Sequence, residues 1–143
     1  MNKLFLLADD DRDDAELFGE ALSSIDPPVA FEHVPDGQAV FQVLSNQSLQ
    51  KPDVIFLDLN MPEMSGWQCL AKLKNDMYYS DIPVIMYSTS TNPRDREIAV
   101  ELGAVGFVTK PTDFKLLRRI LSEIAKSSKE NLKNALRLSP MRL

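Results

Sequence analysis

The chain has 143 residues, 44% hydrophobic and 26% charged, which fits one domain with a complete core and leaves no room for a second. No apolar stretch approaches the roughly 20 residues of a membrane span, and residues 1 to 8 lack the basic start and small-residue cleavage site of a secretory signal, so a cytoplasmic protein is expected. The single cysteine, Cys69, excludes an internal disulfide, and the net charge of −5 argues against general nucleic-acid binding, which needs clustered positive charge.

Apolar runs alternate with helical patterns five times along the chain, which predicts a parallel sheet with helices on both faces. Strand 1 is placed at about 3–8. Helix 1, at about 12–25, carries Ala15, Leu17, Phe18, Ala21, Leu22 and Ile25 at helical spacing and stops at Asp26-Pro27-Pro28. Strand 2, about 29–34, is the least apolar and fits an edge; Asp36-Gly37 then turns into helix 2, about 37–48. Strand 3 is about 53–57, and helix 3 follows Ser65-Gly66 with Trp67, Leu70, Ala71 and Leu73 inward. Strand 4 is about 83–87. Asn92-Pro93 opens helix 4, with Asn as cap and Pro in the first turn where its missing N–H costs nothing, and Gly103 is a left-handed stop. After the apolar run Val105–Thr109, Thr112 or Asp113 caps helix 5, whose inner face includes Leu116, Leu117, Ile120, Leu121 and Ile124.

In such a sheet the carboxyl ends of the strands form the binding edge. Strand 1 there runs into Asp9-Asp10-Asp11, strand 3 into Asp58, strand 4 into Ser88-Thr89 and strand 5 into Lys110-Pro111. Carboxylates packed side by side repel unless a counter-charge joins them, and all-oxygen ligation describes Mg²⁺ (or Mn²⁺). Asp11, Asp13 and Asp14 have a simpler reading as acids at a helix N-terminus, favoured by the free N–H groups and the dipole. Lys110 is a point charge suited to a phosphate oxygen, and the Ser88 hydroxyl a donor to another. Together these groups are able to hold a phosphoryl group, its charge neutralised by metal and lysine. No Walker loop, no G-x-G-x-x-G and no nucleophile–base pair is present, so nucleotide hydrolysis and acyl transfer lack support.

This combination resembles the receiver domain of two-component response regulators, over roughly residues 3–125. The resemblance implies a flavodoxin-like strand order 2-1-3-4-5 with five flanking helices, and Asp58 as acceptor of a phosphoryl group from a histidine kinase or histidine phosphotransfer protein. It implies Mg²⁺ on Asp9, Asp10, Asp58 and the backbone carbonyl of Asn60, Lys110 as the phosphate-binding lysine, and Ser88 and Phe107 as the switch pair. Met61, Pro62 and Gly66 match the pattern D-x-x-M-P-x-x-x-G. Asn60, Thr89 and Ser90 stand where receivers tune their rates, and the Lys110–Pro111 bond is expected to be cis.

Residues 1–126 are assigned to the receiver and 127–143 to a basic tail; residues 126–143 hold five Lys or Arg against one Glu. The tail either extends helix 5 and packs on a second subunit or is a frayed terminus, the second being the simpler reading; a monomer and a homodimer both remain open. With so little chain after helix 5, output is expected from the receiver's own surface, as in the stand-alone regulators associated with bacterial phytochromes, which the chain resembles. His33, on strand 2 with no adjacent acid, is not a phosphohistidine candidate. A phosphatase of the haloacid-dehalogenase type also uses an Asp after a strand but needs a second acid two residues on, where this chain has Asn60. A phosphate-independent adaptor is the remaining alternative.

Overall fold

The computed structural model describes residues 3–136. Five strands, β1 (Leu4–Ala8), β2 (Ala30–Val34), β3 (Val54–Leu57), β4 (Val84–Ser88) and β5 (Gly106–Thr109), form one parallel sheet in the order β2-β1-β3-β4-β5. Between and after them lie α1 (Arg12–Ser23), α2 (Gly37–Leu44), α3 (Gly66–Lys74), α4 (Pro93–Glu101) and α5 (Phe114–Lys126), followed by a 3-10 turn (Lys129–Asn131) and a short α6 (Leu132–Ala135). The strand order is the expected one. None of the described helices is long and apolar enough to cross a membrane.

The burial of each strand explains its sequence. Residues of β3, β4 and β5 are buried on both faces, as in any parallel strand covered by helices, and they read as continuous apolar runs. β2 alternates exposed and half-buried positions because it is an edge. One core layer packs α1 and α5 on the sheet through Phe5, Phe18, Phe56 and Tyr87; Phe18 meets Phe56 and Tyr87 edge-on at centroid distances of 4.9 and 5.3 Å. The other packs α2, α3 and α4 through Leu6, Ile55, Leu57, Leu70, Leu73, Met86 and Phe107. Each such side chain contributes about 1.5–3 kcal/mol on burial.

Helix ends follow local hydrogen-bond chemistry. Asp11, Asp36, Ser65, Asn92 and Asp113 are N-caps, and Ser65 with Gln68 forms a reciprocal capping box. Gly103 stops α4 with a φ of +102°. Helix 2 is shorter than the sequence pattern suggested. It ends at Leu44, and Asn46 then accepts bonds from both the N–H and the hydroxyl of Ser48, a side-chain turn that competes with further helix. Helix 1 likewise ends two residues early, where the Ser23 and Ser24 hydroxyls donate to the carbonyls of Glu20 and Ala21.

Two expectations need correction. The bond before Pro111 is not cis; the cis X–Pro bond among the described residues is Asp26–Pro27. That expectation rested on resemblance alone, against an intrinsic trans preference of about 0.5–1 kcal/mol. The second concerns the tail, which over residues 127–136 neither extends α5 nor frays. Ser127 leaves the helix in an extended conformation, Lys3 Nζ donates to its carbonyl at 2.9 Å, and the chain folds back so that Leu132, Ala135 and Leu136 join the core layer of α1 and α5. Arg137 and Arg142 lie outside the described residues.

Candidate functional site

Parallel register brings the sequence-predicted acids to one place. Ala8 pairs with Val34 on one side and Leu57 on the other, so Asp9 and Asp58 each continue a ladder: Asp9 N–H donates to the Val34 carbonyl and Asp58 N–H to the Ala8 carbonyl, both at 3.0 Å. Asp9 is 0% exposed, and its Oδ1 accepts from the Asp11 N–H at 2.9 Å. His33 Nε2 lies 2.8 Å from the Asp9 carbonyl oxygen, a backbone-anchoring role for the lone histidine. Asp58 is buried as well, whereas Asp10 is exposed. One carboxylate oxygen from each of Asp9, Asp10 and Asp58 fits within a mutual spacing of 4.8 Å.

Lys110 closes this cluster. Its Nζ lies 2.7 Å from Asp9 Oδ2, 2.8 Å from Asp14 Oδ2 and 3.6 Å from Asp58 Oδ2. The contact with Asp9 is an ion pair without hydrogen-bond geometry, which leaves Asp9 Oδ2 as a buried oxygen with charge compensation but no hydrogen-bond donor among the described residues. Burial pushes the Asp58 carboxyl up to about 6 against the pull of Lys110, with the neighbouring Asp9 adding to the rise. Burial works against the Lys110 charge, yet its hydrogen bond to Asp14 and its ion pair with Asp9 outweigh that and hold the ammonium above its ordinary value.

These residues fit a divalent cation. A hydrogen-bond-deficient buried carboxylate oxygen, a second buried acid raised chiefly by burial and an exposed third acid make a hard-oxygen donor set with an open side. Such a set is suited to Mg²⁺ or Mn²⁺.

The loop after Asp58 explains the M-P-x-x-x-G pattern physically. Met61 is buried as an anchor, Glu63 takes a left-handed φ of 68°, and Gly66 N–H donates to the Leu59 carbonyl at 2.9 Å. A Cβ on Gly66 would overlap the carbonyl oxygen of Asp58, so only glycine lets α3 start this close to the end of β3. Asn60 is exposed at the start of this loop.

Ser88 ends β4 and is buried, its Oγ accepting from the Ser90 N–H at 3.3 Å. Thr89 is exposed. Ser90 is tied down on three sides: its hydroxyl donates to Asp95 Oδ2 at 2.6 Å and accepts from the Asn92 N–H at 3.2 Å, and its carbonyl accepts from Thr109 Oγ1 at 2.9 Å. Phe107 is buried beside Met86, within the layer of α2, α3 and α4.

Sequence reasoning missed Asp95, Thr109 and Asp14. The first two link the Ser88–Ser90 loop to α4 and β5. Asp14 was read as a helix-start acid, but Asp11 is the cap, accepting from the N–H groups of Asp13 and Asp14, and the Asp14 side chain reaches Lys110.

Comparison with known proteins agrees with this geometry. Residues 5–122 match the family described as the response regulator receiver domain. Response regulator Rcp1 of Synechocystis is 32% identical over 128 residues, covering 85% of this chain and 86% of Rcp1. A crystal structure of the Mn(2+)-bound form of Rcp1 superposes with a TM-score of 0.75 at 30% identity, covering 85% of this chain and 91% of that one. That of the phosphorylated cyanobacterial phytochrome response regulator RcpA gives 0.78 at 31% identity, covering 87% and 91%. A probable cyclic di-GMP phosphodiesterase of Vibrio cholerae is 30% identical over 113 residues, which are 79% of this chain but 24% of that protein. The chain thus spans about a quarter of several curated relatives and most of others. With the match over residues 5–122 and the acid–lysine edge in place, the chain belongs to the response regulator receiver domain family.

Proposed function

We propose that Asp58 accepts a phosphoryl group from a histidine kinase or histidine phosphotransfer protein, and that the protein signals by contacts that depend on this modification. The observation carrying this reading is the placement of Asp58. It is a buried carboxylate, grouped with Asp9 and Asp10 and with an ammonium 3.6 Å away.

An Asp58 carboxylate oxygen forms the new P–O bond as the P–N bond of the donor phosphohistidine breaks, the bonding pair returning to the imidazole nitrogen, which takes a proton from solvent. Asp9, Asp10, Asp58 and the Asn60 carbonyl would hold a divalent cation, which would supply positive charge for the phosphoryl oxygens. Lys110 supplies a second positive charge from the other side, and Ser88 a hydroxyl donor. Since Ser88 already receives the Ser90 N–H, and Ser90 holds Asp95 of α4 and Thr109 of β5, movement of Ser88 toward a phosphoryl oxygen is transmitted to α4. Phe107 is the neighbouring β5 residue whose packing follows. Asn60, Thr89 and Ser90 flank the phosphoryl position and set access for donors and water. The exposed apolar residues Val100 and Leu102 at the end of α4 and Phe114 at the start of α5 give this face anchors for a partner.

The test is the intact mass after incubation with Mg²⁺ and acetyl phosphate, repeated with phosphoramidate as a P–N donor. One phosphoryl group per chain is expected with Mg²⁺, none with a chelator and none in Asp58→Asn. If neither these donors nor a phosphorylated histidine phosphotransfer domain modifies the wild type, the adaptor reading takes its place.

A further inference from the structure

Lys110 is the residue on which the charge balance of the site turns, and a lysine is a poor fixed point: its four-carbon stem has many rotamers, and its ammonium offers three donors to whatever lies near. Around it lie three carboxylates. Asp9 and Asp58 belong to the group that fits a cation, and the Asp9 contact lacks hydrogen-bond geometry. The hydrogen bond to Asp14 Oδ2, at 2.8 Å, is made to an acid outside that group.

We infer that Asp14 is a positioning residue, whose carboxylate holds the Lys110 ammonium where it meets a phosphoryl group transferring to Asp58. The inference rests on the reading of Asp58 as phosphoacceptor. If a cation shares Asp9 and Asp58, and once Asp58 carries the phosphoryl group as an acyl phosphate, both carboxylates lose hold on the ammonium, and Asp14 is the partner that keeps it. The anchor itself is firm. Asp14 sits in the capped first turn of α1, beside the buried Ala15, and the far end of α1 is clamped to α5 by Arg118, which donates to the hydroxyl and the carbonyl of Ser24. On the remaining side the Tyr87 ring lies 5.5 Å from Nζ, so the ammonium is bracketed between α1 and the sheet. A preplaced ammonium needs no reorganisation as charge develops on the phosphoryl oxygens, which is the condition under which it speeds transfer.

The sign of the effect separates positioning from simple electrostatics. Asp14 is also a negative charge near an anionic donor, and if that were its whole influence, removing it would accelerate phosphorylation. Removing an anchor slows it.

The experiment measures phosphorylation rates with acetyl phosphate over a range of concentrations at saturating Mg²⁺, for wild type, Asp14→Asn, Asp14→Glu, Lys110→Ala and the Asp14→Asn/Lys110→Ala pair. The maximal rate of Asp14→Asn is expected to fall about tenfold, the worth of one charged hydrogen bond, with little change in half-saturating donor. Asp14→Glu restores part of the loss, and in the Lys110→Ala background Asp14→Asn adds nothing. Because Asp14 is one third exposed, its single variants are expected to fold, and melting temperatures check this for all four proteins against wild type. An Asp14→Asn protein as fast as wild type or faster, or one that shows the same loss without Lys110, overturns the inference while leaving the Asp58 reading intact. A wild type that forms no adduct on Asp58 removes that reading, and the inference with it.

Discussion

The two ends of the sheet are built on opposite principles. At the carboxyl end, the strands run out into the buried Asp9, Asp58 and Ser88 and the half-buried Lys110, polar groups whose charges are balanced only collectively and one of whose oxygens lacks a hydrogen-bond donor among the described residues. At the amino end the chain returns after α5 to cover the strand starts with apolar side chains. Leu132 lines a hollow with Lys3, Asp53 and Val54, and Leu136, 0% exposed, packs against Gly106 at the start of β5. A buried polar group without full satisfaction costs free energy, whereas a buried leucine contributes it. The same strands therefore carry stabilisation at one end and a site at the other.

Substitutions at the two ends sharpen this contrast. Gly66→Ala is expected to have the largest effect, because the added methyl meets the Asp58 backbone rather than a flexible side chain. Overpacking of this kind costs about 3 kcal/mol, read by urea denaturation, and displacement of the loop lowers phosphorylation of Asp58 as well. Next, Leu136→Ala is expected to cost about 2–3 kcal/mol and to leave the phosphorylation rate unchanged. If instead it abolishes phosphorylation with the fold intact, the two ends are coupled and the contrast fails.

Cys69 provides a smaller, local readout, since it lies in the first turns of α3, its Sγ 3.9 Å from the Gly37 carbonyl oxygen. Burial pushes this thiol up to about 12, so at pH 8 the neutral form dominates and the native protein reacts slowly with a thiol reagent, the rate rising with pH toward that value. Gly66→Ala, which shifts the helix carrying Cys69, is expected to speed labelling at fixed pH beyond its loss of stability; Leu136→Ala is expected to speed it only as far as stability falls.

Legibility in the sequence divided along the same line. The carboxyl end was readable because four separate strands each terminate on a residue type that has little reason to end an apolar run, so Asp9, Asp58, Ser88 and Lys110 announced one another. Asp14 escaped because acids are common in a first helical turn and nothing in a one-dimensional pattern tells a dipole-stabilising acid from one that reaches across to another strand. Asp95 and Thr109 escaped because their role depends on which way the Ser88–Ser90 loop folds. The amino end was the harder one. Leu132, Ala135 and Leu136 stand at helical spacing among lysines, but that spacing does not tell a continuation of α5 from a helix that folds back, and their burial is decided by where the chain turns at Ser127. The stop of α2 at Leu44 was hidden for a similar reason, since the Asn46–Ser48 turn competes with helix by side-chain hydrogen bonds that helical periodicity does not register.

The most direct test of the central claim, that the carboxyl edge presents Asp58 as a nucleophile to phosphorus, is to locate the modification. The phosphorylated protein is reduced with borohydride, which converts an acyl phosphate to an alcohol, and the peptides are sequenced by mass spectrometry. Homoserine at position 58, with Asp9, Asp10 and Asp14 unchanged, is the predicted result; reduction at another acid, or at none despite a Mg²⁺-dependent gain of phosphate, contradicts it.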